Sequence, residues 1–135
     1  MKKVILYSIA GIVFIMLVIS IIIYLSRSGM LGFCPYQVLG NPNATTQVLY
    51  FEKLRCKECD QQRAVNKQVL AIAGKIVRFE VYNLNACSAK AESEKVITAP
   101  TYVFKNNIIN VITTDKMNAE QLLGGFCTVS GKCTQ

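Results

Sequence analysis

The sequence contains no histidine and no tryptophan, and only 17% of its 135 residues are charged. Without an imidazole, the chain cannot form histidine general bases, Cys–His or Ser–His pairs, His–Glu zinc sites or haem-attachment motifs. The short length also excludes a multidomain enzyme and limits the chain to one domain. Six cysteines remain as residues with distinctive chemistry. Sulfur chemistry is therefore the first kind of function to consider.

The net charge of +7 is less informative than it first looks. Three of the basic residues, Lys2, Lys3 and Arg27, belong to the N-terminal segment. From residue 31 onward the chain has twelve Lys or Arg residues and eight Asp or Glu residues, a net charge of +4 with no run of basic residues. This distribution does not favour a polyanion. We therefore expect no nucleic-acid partner.

An uncharged apolar segment occupies the N-terminus. No residue from Val4 to Leu25 is charged, a run of 22 residues. As a helix, this run extends about 30 Å, the thickness of the hydrocarbon core of a bilayer. The apolar part of a cleaved signal peptide is shorter, at about 7–15 residues, and ends at a small-residue site. We predict a single transmembrane anchor in residues 1–27, with cleavage at one of the small residues Ser20, Ser26, Ser28 and Gly29 as the alternative.

The charges that flank this segment predict its orientation. Lys2 and Lys3 precede it, whereas only Arg27 follows it closely. Because positive charges tend to stay in the cytoplasm, we expect a cytoplasmic N-terminus and a domain on the extracytoplasmic side. Six cysteines in a short exported chain also suit an oxidising compartment.

The rest of the chain divides by composition. Residues 28–46 are rich in glycine, proline and asparagine, which favours a stalk and a loop that leads into the domain. We predict the folded domain at residues 47–127 and a C-terminal tail at 128–135. Apolar runs and helical periodicity predict strands at 47–51, 76–82, 102–104 and 108–113, with helices after the first strand, at 86–96, and from 115 or 118. The order βαβαββα predicts an α/β domain with a mixed four-stranded sheet and helices on its faces.

Two cysteines separated by two residues, Cys56-Lys57-Glu58-Cys59, lie between the first predicted strand and its helix. At a helix start, free backbone N–H groups and the macrodipole stabilise a thiolate, which lowers the pKa of cysteine below its ordinary value of about 8.5. Cys59 lies on the same helical face and can resolve a mixed disulfide formed by Cys56. The spacing predicts a redox pair, with Cys56 as the nucleophile.

Zinc binding and a purely structural disulfide are the alternatives for this pair. A zinc site needs two more thiolates, and the sequence has no second CxxC, so we expect no metal and no cofactor. The remaining cysteines are candidates for structural disulfides with three possible pairings: Cys34, Cys87, Cys127 and Cys133. Cys127 with Cys133 and Cys34 with Cys87 is one such arrangement. A second hypothesis is that one of these cysteines relays electrons to the CxxC.

The loop Thr98-Ala99-Pro100-Thr101 follows the CxxC by about forty residues and precedes the predicted hairpin and last helix. Taken together, the strand, the CxxC at a helix start and this loop resemble the thioredoxin-like family over roughly residues 45–127. The resemblance implies a three-layer fold in which Pro100 is a cis-proline beside the two sulfurs. It also implies that the Ala99 backbone binds an extended substrate segment.

The sequence departs from that family at three places. Arg55 replaces the tryptophan before the first cysteine, and Lys57-Glu58 replaces the usual Gly-Pro. Tyr50 falls where thioredoxins carry a buried acid that accepts a proton, and a tyrosine with a pKa of about 10 cannot do this at neutral pH. Glu52 and Glu80 are the alternatives for that role. Oxidase, isomerase and reductase directions all stay open.

These observations lead to one hypothesis and one alternative. The first is a membrane-anchored thiol–disulfide oxidoreductase that exchanges disulfides with exported cysteine-containing proteins and with a membrane or soluble redox partner protein. The alternative is a non-catalytic, thioredoxin-fold subunit that binds polypeptides within a membrane complex. In the first hypothesis Cys56 and Cys59 are catalytic, and Ala99 and Pro100 bind substrate.

Overall fold

The computed structural model describes the backbone of residues 2–27 and 34–132, and the side chains of residues 11–25 and 34–132. The chain forms two compact units, residues 1–33 and residues 34–135. The elements in chain order are α1 (Lys2–Arg27), β1 (Tyr36–Gly40), β2 (Gln47–Glu52), α2 (Lys57–Ala73), β3 (Arg78–Asn83), α3 (Ser88–Ser93), β4 (Thr101–Lys105), β5 (Asn110–Thr113) and α4 (Ala119–Ser130).

The first unit is built on one continuous helix. α1 has 26 residues, and its side chains from Gly11 to Tyr24 are exposed. The Ser20 hydroxyl donates a hydrogen bond to the Met16 carbonyl oxygen at 2.9 Å, which keeps this polar group paired within the helix. In the part of the chain that the structure describes, no helix has both the length and the apolar character required of a membrane span. The transmembrane anchor therefore stays a prediction.

The second unit contains a five-stranded mixed sheet in the order β1-β3-β2-β4-β5. β2 and β3 are parallel, and every other neighbouring pair is antiparallel. The prediction of an α/β domain is confirmed, but the prediction of four strands is wrong. The extra strand is β1, which lies within the segment 28–46 predicted as a stalk. It is an edge strand with mostly exposed side chains, so apolar alternation does not reveal it.

Helices cover both faces of the sheet. α2 and α4 pack on one face, where their apolar residues meet the side chains of β2, β3 and β4. That core contains Val48, Tyr50, Val69, Ala73, Val77, Phe79, Tyr102, Phe104, Leu122, Phe126 and Val129. α3 covers the opposite face together with the segments beside it. The smaller core there contains Leu49, Phe51, Tyr82, Leu84, Cys87, Ala91, Val96 and Val103.

The last helix is fixed at both ends by local interactions. Asn118 caps α4, because its side chain accepts the Gln121 N–H at 2.8 Å while the Gln121 side chain accepts the Asn118 N–H. Of the two predicted starts, 115 and 118, the structure selects the second. Gly131 ends the helix with φ +65°, a left-handed conformation that glycine adopts easily. α4 thus continues beyond residue 127, where the sequence placed the end of the domain.

Candidate active site

Cys56 immediately precedes α2 and is its N-cap residue. Its backbone is extended, with φ −106° and ψ 104°, and its sulfur accepts the backbone N–H of Cys59 at 3.1 Å. This sulfur therefore does what a serine or aspartate oxygen does at other helix starts, and it satisfies one of the free N–H groups. The 17 residues of α2 give this end a macrodipole whose positive pole lies at the sulfur.

The two cysteines of the CxxC are joined in a disulfide. Their sulfurs lie 2.07 Å apart and their Cα atoms 5.1 Å apart. Cys56 is half-buried, whereas Cys59 has no exposed surface. An incoming thiol or disulfide therefore reaches the sulfur of Cys56 first, and Cys59 stays shielded one turn behind it.

The loop predicted from the sequence adjoins the segment that leads from β2 into this disulfide. Phe51 at the end of β2 pairs with Thr101 at the start of β4, which brings residues 98–100 next to the segment that leads from β2 to Cys56. The Ala99–Pro100 peptide bond is cis. Thr101 is fully buried, and its hydroxyl donates to the Thr98 carbonyl oxygen at 2.9 Å, which fixes the turn. Ala99 is half-buried and Pro100 buried.

The side chains next to Cys59, the buried cysteine of the pair, include tyrosine and amide groups rather than a carboxylate at position 50. Tyr50 is fully buried, and its hydroxyl donates to the Cys59 carbonyl oxygen at 3.4 Å. Burial, and after it the nearby Glu52 charge, raises the pKa of Tyr50 above its ordinary value, so this hydroxyl is neutral at physiological pH. The Tyr102 hydroxyl donates to the side chain of Asn66 close by. No titrating group within this tyrosine–amide network carries charge at neutral pH.

The two glutamates considered as replacements for the family's acid are both engaged elsewhere. Arg63 of α2 donates to both carboxylate oxygens of Glu52, at 2.8 and 3.0 Å. Glu80 forms an ion pair with Arg78 at 2.6 Å and accepts the Tyr82 hydroxyl. The Glu52–Arg63 pair depends on how α2 packs against β2, so no sequence spacing signals it.

The other cysteines divide into two sets. Cys34 and Cys87 form a second disulfide, with an S–S distance of 2.12 Å and Cα atoms 4.8 Å apart. Cys127 is half-buried on α4 and has no disulfide with any described residue. Cys133 lies outside the described residues, so a Cys127–Cys133 bond stays a prediction. Within residues 2–27 and 34–132, no group of three or more cysteine or acidic side chains could hold a metal ion.

Comparisons with known proteins identify the fold. No protein-family model and no curated protein matches the sequence. Thioredoxin-2, a component of malaria parasite protein secretion machinery, is similar in structure, with a TM-score of 0.57, 21% identity, and coverage of 62% of this chain and 82% of that chain. Mitochondrial thioredoxin 3 from Saccharomyces cerevisiae has a TM-score of 0.57 and 17% identity, with coverage of 65% of this chain and 82% of that chain. MTB DsbF has a TM-score of 0.55 and 16% identity, with coverage of 63% of this chain and 81% of that chain.

The second unit therefore has the thioredoxin-like fold that the sequence led us to expect. Its Cys56–Cys59 pair is at disulfide distance and occupies the start of the helix after β2. The fold and this pair together support thiol–disulfide oxidoreductase chemistry at the general level.

Proposed function

We propose that this protein is a membrane-anchored thiol–disulfide oxidoreductase that exchanges disulfides with exported, cysteine-containing proteins. The observation that carries the proposal is the geometry of Cys56. Its sulfur caps α2, accepts the Cys59 N–H at 3.1 Å and is partly exposed, while its partner sulfur is buried one turn further on. These are the surroundings that stabilise a reactive thiolate and provide a resolving cysteine.

In the reducing direction, the Cys56 thiolate attacks one sulfur of a substrate disulfide. That S–S bond breaks, one substrate sulfur leaves as a thiolate that takes up a proton, and Cys56 is left in a mixed disulfide. The Cys59 thiolate then attacks the Cys56 sulfur, which releases the second substrate sulfur and forms the Cys56–Cys59 disulfide present in the structure. The oxidising direction is the reverse, and in either case a redox partner protein restores the pair.

The cis-proline loop supports a role in substrate binding. Ala99 and Pro100 lie beside the segment that leads into Cys56, because Phe51 and Thr101 are paired. The Ala99 backbone precedes the first residue of β4, and in our proposal it pairs with an extended substrate segment as an added strand does. Such pairing holds a substrate cysteine near Cys56 whatever the neighbouring side chains are.

The membrane anchor in this proposal rests on the sequence of the first unit. Val4 to Leu25 is uncharged, and the helix Lys2–Arg27 has a length of about 39 Å at 1.5 Å per residue. Lys2 and Lys3 favour a cytoplasmic N-terminus and an extracytoplasmic domain. We expect the protein to stay with membranes after alkaline carbonate extraction and the Cys56 region to be reached by a membrane-impermeant thiol reagent from outside.

Turnover by the full chain in detergent micelles tests the catalytic proposal. Insulin reduction with a thiol reductant, or refolding of a scrambled disulfide substrate, is compared for the wild type, Cys56→Ser, Cys59→Ser and Cys127→Ser. We expect Cys56→Ser to fall to the background rate, Cys59→Ser to accumulate a mixed disulfide with substrate, and Cys127→Ser to match the wild type. Substrate binding without turnover, equal in wild type and Cys56→Ser, supports the non-catalytic subunit instead.

A further inference from the structure

A groove of about 540 Å³ lies on the α3 face of the second unit. One wall comes from the segment after β2 and the other from α3 and the segment that follows it. Its walls include Lys53, Leu84, Glu92, Lys95, Val96 and Ile97. The groove thus combines the buried apolar residues Leu84 and Val96 with charged and exposed apolar side chains.

The two edges of the groove continue directly into the residues of the site. Lys53 precedes Cys56 by three residues, and Ile97 precedes Pro100 by three. The pairing of Phe51 with Thr101 holds the ends of these two segments together. A polypeptide that contacts Cys56 and Ala99 is therefore placed to extend across this groove.

Basic side chains that line the groove or flank Cys56 lack acidic partners in the described part of the chain. Four exposed or half-buried cations form no ion pair with a described carboxylate: Lys53, Arg55, Lys57 and Lys95. Arg63 is shared between Glu52 at 2.8 Å and Asp60 at 3.1 Å, so its charge offsets only one of these two carboxylates. Glu58 and Glu92 are exposed and form no ion pair in the described part of the chain. Five cations and four carboxylates therefore leave the surface around the disulfide with a net charge of +1.

Backbone conformation singles out two of these cations. Among the described residues, Arg55 with φ +58° and Lys95 with φ +60° are the two non-glycine residues with positive φ. A positive φ is unfavourable for residues with a side chain, and residues in such backbone conformations cluster at active sites and ligand-binding segments. One of the two stands immediately before Cys56, and the other stands five residues before Pro100.

The same two segments expose large apolar side chains. Leu54 is 75% exposed and Ile97 is 83% exposed, although each belongs to a well-formed loop of the second unit. We define the basic rim as Lys53, Leu54, Arg55, Lys95 and Ile97. It offers exposed apolar side chains and unpaired cations on the two segments that lead to Cys56 and to Pro100.

We infer that the basic rim selects substrate segments in which the reactive cysteine is flanked by acidic and apolar residues. This inference rests on the proposed function, since it names the substrate class of the same site. Unpaired cations attract an acidic segment to the site and orient it before the sulfurs react, an effect that salt screens. The apolar flanks of the segment cover Leu54 and Ile97.

The test uses the reduced full chain in zwitterionic detergent micelles and short peptides whose single cysteine is blocked as a disulfide with neutral thiopyridine. Attack by Cys56 on the peptide sulfur releases thiopyridone, which is followed by absorbance. Three peptides differ only at the flanks: Glu-Leu-Cys-Leu-Glu, Gln-Leu-Cys-Leu-Gln and Lys-Leu-Cys-Leu-Lys. At low salt we expect the acidic peptide to react about tenfold faster than the basic one, and the ratio to fall toward one in 0.5 M salt.

Charge-reversal variants locate the effect. Lys53→Glu/Lys95→Glu is compared with Lys75→Glu/Lys132→Glu, which changes the net charge equally at exposed lysines beyond the other end of the sheet. We expect the first variant to reduce the acidic-to-basic ratio to about one or below, and the second to keep at least half of it. Unfolding curves check that both variants are folded.

Each other outcome overturns the inference. Equal rates for the three peptides, or equal loss of the ratio in both double variants, exclude selection by the basic rim while the exchange reaction itself stands. If the peptides react equally but anionic lipid in reconstituted vesicles slows all of them, the rim binds the membrane surface rather than substrate. If no peptide releases thiopyridone above the reagent background, the proposed function fails as well.

Discussion

The two disulfides of the second unit occupy matching positions in the fold but have different surroundings. Glu52 and Asn83 are paired at the ends of the parallel strands β2 and β3, and a cysteine follows each of them by four residues at the start of a helix. The sulfur of Cys56 accepts a backbone N–H from a helix of 17 residues. Cys87 begins a helix of six residues and accepts no such hydrogen bond.

The partners of these two cysteines differ as well. Cys56 is joined to a residue three positions away, whereas Cys87 is joined to Cys34 across 53 residues and is 1% exposed. A long closed loop removes much more entropy from the unfolded chain than a short one. Helix length, one N–H donor and the sequence distance to the partner cysteine therefore distinguish the Cys56 bond, which suits redox chemistry, from the Cys87 bond, which suits stabilisation of the fold.

The largest effect that we predict comes from removal of the long-range disulfide. Cys34→Ala/Cys87→Ala should lower the free energy of unfolding by about 4 kcal/mol, the chain-entropy value for a loop of this size. Cys56→Ala/Cys59→Ala should lower it by about 2 kcal/mol or less, because its loop is so short. Urea unfolding of the full chain in micelles, without reductant, measures both. If the two double variants lose the same free energy of unfolding, or if Cys56→Ala/Cys59→Ala loses more, the assignment of Cys34–Cys87 as the structural bond is contradicted.

A second prediction concerns how the short helix α3 is held in place. Glu94 at its end is largely buried and forms ion pairs with Lys90 and Lys105. Burial alone raises the pKa of Glu94, but the hydrogen bonds from Lys105 and Lys90 and their charges lower it overall. Because the lysines are partly exposed, we expect Glu94→Gln to cost about 1–2 kcal/mol at pH 7. Glu92→Gln, at an exposed position, is the control.

The pH dependence of this variant follows from the direction of the shift. A carboxylate whose pKa is lower in the folded state stabilises the fold above its unfolded pKa of about 4.3 and loses that contribution as the pH falls through the folded value. The difference between wild type and Glu94→Gln should therefore be constant near neutrality and shrink below about pH 4.3. A difference that grows with acid contradicts the ion-pair assignment.

The third prediction compares the acidity of the two helix-start cysteines. Cys59→Ser frees Cys56, and Cys34→Ser frees Cys87. Alkylation rates as a function of pH, followed by peptide mass spectrometry, should give a midpoint for Cys56 at least about one pH unit below that for Cys87. The reason is the N–H donor and the longer helix at Cys56. If Cys56 titrates like a free cysteine, the redox proposal loses its physical basis.

Much of this fold could be predicted from the sequence because its central elements carry strong local patterns. β2 is a short apolar run buried at four of six positions, and the apolar repeat after Cys59 forms α2. β1 could not be predicted in the same way. Its stability comes from backbone pairing with β3 and from Tyr36 stacked on Tyr82 at 5.1 Å, contacts between residues that are far apart in sequence.

The candidate site likewise combines features that local sequence patterns predict with features that depend on contacts between residues far apart in sequence. The CxxC and the Thr98–Thr101 loop are local patterns, and the sequence places both at helix or strand starts. The Glu52–Arg63 pair depends instead on how α2 packs against β2, and the basic rim depends on which segments meet at one end of the sheet. Lys53 and Lys95 are forty-two residues apart in sequence and line the same groove. The sequence has no run of basic residues that would predict this grouping, and the charge count by itself indicated only that a nucleic-acid partner is not favoured.

The smallest effect that we predict concerns Tyr50, and it tests what the neutral network under Cys59 contributes. Its hydroxyl donates a long hydrogen bond of 3.4 Å to the Cys59 carbonyl oxygen and stays protonated at neutral pH. Tyr50→Phe removes no charge, so we expect a loss of at most about 1 kcal/mol in stability. The rate at which Cys59 resolves the mixed disulfide, measured by stopped-flow quenching, should change less than about twofold, because loss of the hydroxyl alters no charge near the sulfur.

Tyr50→Asp is the informative contrast, because a buried carboxylate at this position raises the pKa of the Cys59 thiol and makes the rate of resolution more dependent on pH. If Tyr50→Phe instead slows resolution tenfold, the tyrosine hydroxyl itself takes part in proton transfer, and the inner cysteine is activated by a group that the comparison of the two disulfides does not include.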